Sequence, residues 1–189
     1  MNIIEDYDKY IMKTYSRFPL VFTRGEGVWL YTDSGKKILD MSAGIAVSSL
    51  GHKHPGLTRA IKEQCDKLIH TSNLYYNMPS LDLAKRLIDN SMFSKAFFCN
   101  SGAEANEAAI KLSRKYGSAN GSGKKYKILT MKNSFHGRTI ATLTATGQTK
   151  YQKGFEPLLE GFDYVEFNNV EDMKSKFSDE VAAIIVELV

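Results

Sequence analysis

The chain is 189 residues long, 43% apolar and 24% charged, the composition of a soluble globular protein with length enough to bury a core. Its net charge of +4 is scattered, and the longest basic clusters, such as Lys124-Lys125, are too short for a nucleic-acid surface. No apolar run approaches the ~20 residues of a membrane helix, and the N-terminus "MNIIEDYDKYIMK" lacks the order of a signal peptide, so a cytoplasmic protein without nucleic-acid or membrane partners is expected. Cys65 and Cys99 lie far apart, each in an apolar pattern, which predicts reduced core thiols rather than a disulfide or a metal site.

In chain order, Ile4, Tyr7, Ile11 and Tyr15 fall near helical spacing and predict an amphipathic helix over residues 3–15. "GVWLYTDSGKKILDM" predicts two strands joined by a hairpin turn at Asp33-Ser34-Gly35. His52 and His54 flank Lys53 before Pro55, a turn feeding the next helix rather than a metal pair. That helix, in "HPGLTRAIKEQCDKLIH", has Pro55 in its first turn and an apolar face of Leu57, Ile61, Cys65 and Leu68. "SLDLAKRLIDN" predicts another. From Lys95 the pattern alternates: a strand in "KAFFC", a helix from Ala103 to Tyr116, and an exposed flexible loop in "GSANGSGKK". There follow a strand in "YKILTM", a helix in "RTIATLTATG" and a strand in "DYVEF". A short helix near Val170–Phe177 and the strand "VAAIIVEL" complete the chain.

Apolar strands interleaved with helices imply an α/β fold, a mainly parallel sheet with flanking helices. A parallel strand is normally followed by a covering crossover, so the closing strand is expected to mark a chain that is cut.

Two turns stand out. In "FFCNSGAEANEAAIKLSRK", Ser101 and Gly102 lead from an expected strand into a helix, whose free N–H groups at Gly102 and Ala103 attract an anion such as phosphate. The spacing fits neither a Walker loop nor a dinucleotide fingerprint. On the local pattern alone, a plain Ser cap is favoured over a phosphate site. Glu107 and Lys111 read as a supporting i,i+4 pair. "NSFHGRT" follows the next strand and offers Phe135 for stacking on a flat heterocycle and Arg138 for gripping a carboxylate. Taken singly, a core Phe at a turn and a solvated Arg remain open. Together, the two turns suggest a phosphorylated aromatic cofactor beside a carboxylate-bearing substrate.

With "NSGAEANEAAIK", "SFHGRT", "TATGQTKYQKGFEPL" and the closing "AAIIVEL" in this order, the chain resembles the class III pyridoxal-phosphate-dependent aminotransferases of fold type I. "GIAV" and "GHKHP" point to their acetylornithine branch. The resemblance implies that Ser101, Gly102 and Ala103 hold the phosphate of pyridoxal 5'-phosphate, that Phe135 stacks on its ring and that Glu187 lies near it. Leu188 stands where the family has Pro. It further implies that Arg138 binds the substrate α-carboxylate and that Tyr15 and the loop Gly44-Ile45-Ala46 line the substrate side. No proton-transfer role is assigned to His136, and no metal is implied.

The implied reaction passes the terminal amine of N2-acetylornithine to 2-oxoglutarate, giving N-acetylglutamate 5-semialdehyde and glutamate, in a homodimer. In the family the Schiff-base lysine lies downstream of the segment holding Glu187. It is therefore expected beyond Val189, and the 189-residue chain is expected not to transaminate alone. Residues 1–55 would be an N-terminal segment of the small domain, and 56–189 the first part of the large cofactor-binding domain. The alternatives are a transaminase for succinylornithine, succinyldiaminopimelate or 4-aminobutyrate, a non-catalytic module, and a simple phosphate-binding domain.

Overall fold

The computed structural model describes residues 2–120 and 123–188, and the chain gathers into two units, Met1–Pro79 and Ser80–Val189. In the first, α1 (Ile3–Tyr10) starts at Asn2, whose side chain accepts the Glu5 N–H, and Glu5 and Asp6 suit the positive end of its dipole. The helix is shorter than the expected 3–15. Ile11 turns to extended backbone, and Ile11, Met12 and Tyr15 are exposed. A stripe this exposed gains too little burial to sustain further helical turns.

An antiparallel sheet of β1 (Phe22–Glu26), β2 (Trp29–Thr32) and β3 (Lys37–Leu39) follows. The hairpin turn is where the spacing put it. Thr32 is buried, its hydroxyl accepts the Lys36 N–H at 3.0 Å, and Gly35 takes the left-handed torsion (φ +82) that the reversal needs. β1 was not anticipated, because Arg24-Gly25-Glu26 breaks the apolar alternation.

The one-turn element α2 (Ala43–Ala46) is left-handed throughout, with φ between 46 and 64 at Ala43, Gly44, Ile45 and Ala46. Its start is anchored by Asp40, which accepts the N–H of Ser42 and Ala43 and the Ser42 hydroxyl, and which pairs with His52 at 2.8 Å. These bonds, that from His52 foremost, hold the Asp40 carboxyl below its ordinary pKa. α3 (Pro55–Cys65) is capped by His54, whose ring nitrogen accepts the Leu57 N–H. Among the described residues no cluster of three or more His, Cys, Asp or Glu could hold a metal ion. α4 (Met78–Asp89) follows, its residues from Ser80 onward belonging to the second unit.

The second unit contains α5 (Gly102–Asn120), β4 (Lys127–Met131), α6 (Ile140–Ala145), α7 (Thr149–Gln152), β5 (Phe162–Val165), α8 (Val170–Lys176) and β6 (Val181–Ile185). Its sheet is parallel, in the order β5-β4-β6. Because side chains alternate along the central strand, β4 serves two cores. Leu129 and Met131 pack with Val165, Val181 and Met173 of α8. Ile128 packs with Ile110 of α5, Ala141 of α6, Phe162 and Ile185. Each such buried aliphatic side chain contributes about 1.5–3 kcal/mol, so the sheet edge that carries the turns rests on the best-buried part of the chain.

Three expectations change. "KAFFC" forms no strand: residues 95–99 join no ladder among the described residues, and Phe97 and Phe98 are exposed. A strand exists only where a neighbour supplies ladder bonds, and none of β4, β5 and β6 pairs with this segment. Cys65 and Cys99 are free, but exposed rather than in a core. The expected loop "GSANGSGKK" begins as helix, because α5 runs on to Asn120; its Gly121 and Ser122 lie outside the described residues.

Candidate functional site

Three segments of the second unit meet at the carboxyl edge of its sheet: the start of α5, residues 133–139 after β4, and the segment after β6. The start of α5 is a Ser-x-x-Glu cap. Ser101 Oγ accepts the Glu104 N–H at 3.2 Å, and the Glu104 carboxylate reaches back to the Asn100 N–H at 2.6 Å. The N–H groups of Gly102 and Ala103 keep no partner among the described residues, as the first turn of a helix leaves them. The Ser101 hydroxyl accepts in this cap, and its proton remains available to donate. The plain cap therefore leaves these N–H groups and the hydroxyl proton available to an anion.

The 133–139 turn is pinned from several sides. Ser134 Oγ donates to the Met131 carbonyl at 2.6 Å, Gln148 Nε2 donates to the carbonyls of Asn133 and Ser134, and the His136 N–H donates to Thr146 Oγ1 at 2.9 Å. Thr139 and Thr142 close a reciprocal capping box at the start of α6. Gly137 has φ +134, and a Cβ there would stand 2.6 Å from Thr142 Oγ1 and 2.9 Å from Ala103 Cβ. Only glycine lets this turn press against the first turn of α5.

Within the turn, Phe135 is 41% exposed, its ring meeting Tyr151 edge-on with centroids 5.9 Å apart. One face is thus left for stacking. Its N–H donates to Glu187 Oε2 at 2.9 Å, which brings the segment after β6 into the site. His136 is 5% exposed, and its Nε2 is buried without a partner among the described residues. Burial pushes its pKa below the ordinary value, while the nearby Glu187 carboxylate pulls the other way. The imidazole is accordingly neutral at physiological pH. Arg138 is exposed.

Ser101, Gly102, Ala103, Phe135, Arg138 and Glu187 are thus gathered in one unit. Tyr15 belongs to the other. It lies with Tyr7 and Arg17 on the wall of a cavity of about 950 Å³, with the Arg17 guanidinium 4.9 Å from the Tyr7 ring and 5.9 Å from the Tyr15 ring. Glu107 does not form the expected pair with Lys111; it accepts a hydrogen bond from the Thr139 hydroxyl. Lys132 is held by Glu166, and that bond raises its pKa, so its amine stays protonated and is a poor nucleophile. Asn106, Gln148 and Tyr151 were not anticipated as parts of the site. The Ser101–Glu104 spacing was a readable signal for the cap. The other three act through tertiary contacts that no local pattern announces.

The fold is that of the fold type I aminotransferases. The structure superposes on an ornithine aminotransferase from Toxoplasma gondii with a TM-score of 0.90, at 24% identity, over 97% of this chain and 44% of that one. An omega transaminase from Pseudomonas jessenii, solved in complex with PMP, matches with a TM-score of 0.79 at 33% identity, over 86% of this chain and 38% of that one. The family model of the class III aminotransferases matches residues 10–189, and the chain belongs to that family. Acetylornithine aminotransferases are among its relatives. The protein from Caldanaerobacter subterraneus subsp. tengcongensis is 55% identical over 96% of this chain and 46% of its own length, and that from Methanocaldococcus jannaschii is 50% identical over 98% and 47%. The chain thus spans about half the length of the curated relatives it matches. Among the described residues no helix is long and apolar enough to cross a membrane.

Proposed function

We propose that this chain supplies the phosphate- and ring-binding part of a pyridoxal-phosphate-dependent transaminase, which passes the terminal amine of N2-acetylornithine to 2-oxoglutarate. The observation that carries this reading is the docking of the 135–139 turn on the start of α5. It sets unpartnered helix N–H groups beside a half-exposed aromatic ring. The residues present fit the cofactor: an anion cradle at one end, an aromatic face next to it, and in the same turn a buried His136 nitrogen lacking a partner. The family and the named relatives supply the reaction class.

In this reading Ser101, Gly102 and Ala103 hold the phosphate through the Ser101 hydroxyl and the helix N–H groups. Pyridoxal 5'-phosphate, when bound, supplies the electron sink for the amine chemistry. Phe135 stacks on its ring, and Glu187 orients Phe135 through the backbone bond described above. Arg138 grips the substrate α-carboxylate with its planar fork. Tyr15 is a substrate-binding candidate on the resemblance alone. Residues 1–55 would belong to the small domain and 56–189 to the large cofactor-binding domain of a cytoplasmic homodimer.

Titration with pyridoxal phosphate, followed by its visible absorbance, tests the cofactor reading. Amine transfer from acetylornithine, succinylornithine and 4-aminobutyrate to 2-oxoglutarate, compared side by side in the full-length protein that also carries the segment after Val189, tests the substrate. The cofactor should bind well ahead of inorganic phosphate, and acetylornithine should be the preferred donor. Binding of phosphate and the cofactor with equal strength would point to a plain phosphate-binding domain instead.

A further inference from the structure

We propose that Asn106, aided by Glu107, is a positioning residue. It locks the 135–139 turn onto α5 and so sets the separation between the phosphate cradle and the Phe135 ring. The proposal rests on the cofactor reading above. Ala103, Asn106, Glu107 and Ile110 are spaced three and four apart and share one face of α5. At Ile110 that face is apolar and packs on Ile128 and Ala141. Nearer the helix start it becomes polar: Asn106 Nδ2 donates to the His136 carbonyl at 2.8 Å, and Glu107 accepts from the Thr139 hydroxyl. At Ala103 it is small enough for Gly137 to close in. One helical face therefore engages Gly137, His136 and Thr139 of the same short turn.

The chemistry of Asn106 is specific to this task. Asn is a poor helix former, so its place near the start of α5 is a local cost that the bond to the turn offsets. The half-buried His136 carbonyl needs a donor. Asp would set an acceptor against it, and Ala would leave it without this partner. Among the described residues the side chains of Asn106 and Glu107 hydrogen-bond to the turn and not to the cradle. What they control is its distance from the ring, which matters only to a ligand that touches both.

That distinction gives the test. Asn106→Asp, nearly isosteric, and Asn106→Ala are compared with the wild type in separate titrations of pyridoxal phosphate and inorganic phosphate, with folding followed by circular dichroism. Pyridoxal phosphate affinity should fall about tenfold in both variants, and inorganic phosphate affinity should change less than about twofold. Equal losses for the two ligands, or lower stability with both affinities intact, overturn the proposal and leave Asn106 a structural bond only. Should neither variant fold, Glu107→Ala, which releases the second pin, is put through the same comparison. A wild-type protein that fails to bind pyridoxal phosphate overturns the cofactor reading itself, a result visible before any variant is made.

Discussion

The carboxylate of Glu187 accepts the backbone N–H of Phe135 at 2.9 Å, across 52 positions of sequence. It ties the segment after β6 to the turn after β4 and leaves the Phe135 ring half exposed beside the start of α5. Through the same carboxylate, the charge of Glu187 bears on the buried His136.

Removing that acceptor should loosen the turn. Glu187→Ala is expected to cost about 1 kcal/mol, or roughly fivefold in pyridoxal phosphate affinity, the bond being partly solvent-screened. Glu187→Gln keeps an acceptor oxygen and should lose less. Equal affinities for all three proteins would show that Phe135 needs no such tether.

Two glycines separate packing from ligand contact. Gly137→Ala adds a Cβ within 3 Å of Thr142 and Ala103 at a left-handed torsion, and should destabilise the fold by more than about 2 kcal/mol. Gly102→Ala meets nothing within 4 Å and should leave stability unchanged or slightly improved. It should still weaken phosphate binding, because its methyl group would stand where the ligand approaches the backbone. Urea unfolding and phosphate titration of the same two variants check both halves.

The depressed pKa of His136 makes the second unit sensitive to acid. Its folded-state pKa lies below the ordinary 6.5, so between those two values the unfolded chain binds the proton first. Stability contributed above about pH 6.5 is then lost as the pH falls through the folded pKa. Urea midpoints measured downward from neutral pH should fall less steeply in His136→Asn than in the wild type. In Glu187→Gln the His136 resonance should titrate lower still, because the opposing carboxylate is gone.

Lys132 should be an unreactive lysine. Its bond to Glu166 raises its pKa, so pyridoxal phosphate followed by borohydride should label it less than the exposed Lys111. Glu166→Gln should raise labelling at Lys132 by freeing its amine. Peptide mapping reads both outcomes. Preferential labelling of Lys132 in the wild type would contradict the assignment of its charge state.

Much of this protein is written locally. The Asp33-Ser34-Gly35 reversal, the Pro55 helix start, the Ser101–Glu104 cap and the apolar run of β4 each depend on residues within a few positions of one another. Period, cap and turn chemistry are short-range physics, so these elements could be read without a structure. The start of α5 and the turn that carries Phe135 and Arg138 also stand out in the sequence, though the local pattern alone favours a plain Ser cap at the former.

What the tertiary structure decided is pairing. Residues 95–99 have every local mark of a strand, yet none of β4, β5 and β6 pairs with them among the described residues. Glu107 has Lys111 at helical spacing but bonds Thr139. His52 read as a bystander in a turn, yet it secures Asp40 at the start of a left-handed loop. Asn106 looks like an ordinary helix residue until the His136 carbonyl arrives beside it. In each case the deciding partner is remote in sequence or supplied by another element. A hydrogen bond or a ladder is worth forming only where folding has brought that partner within reach.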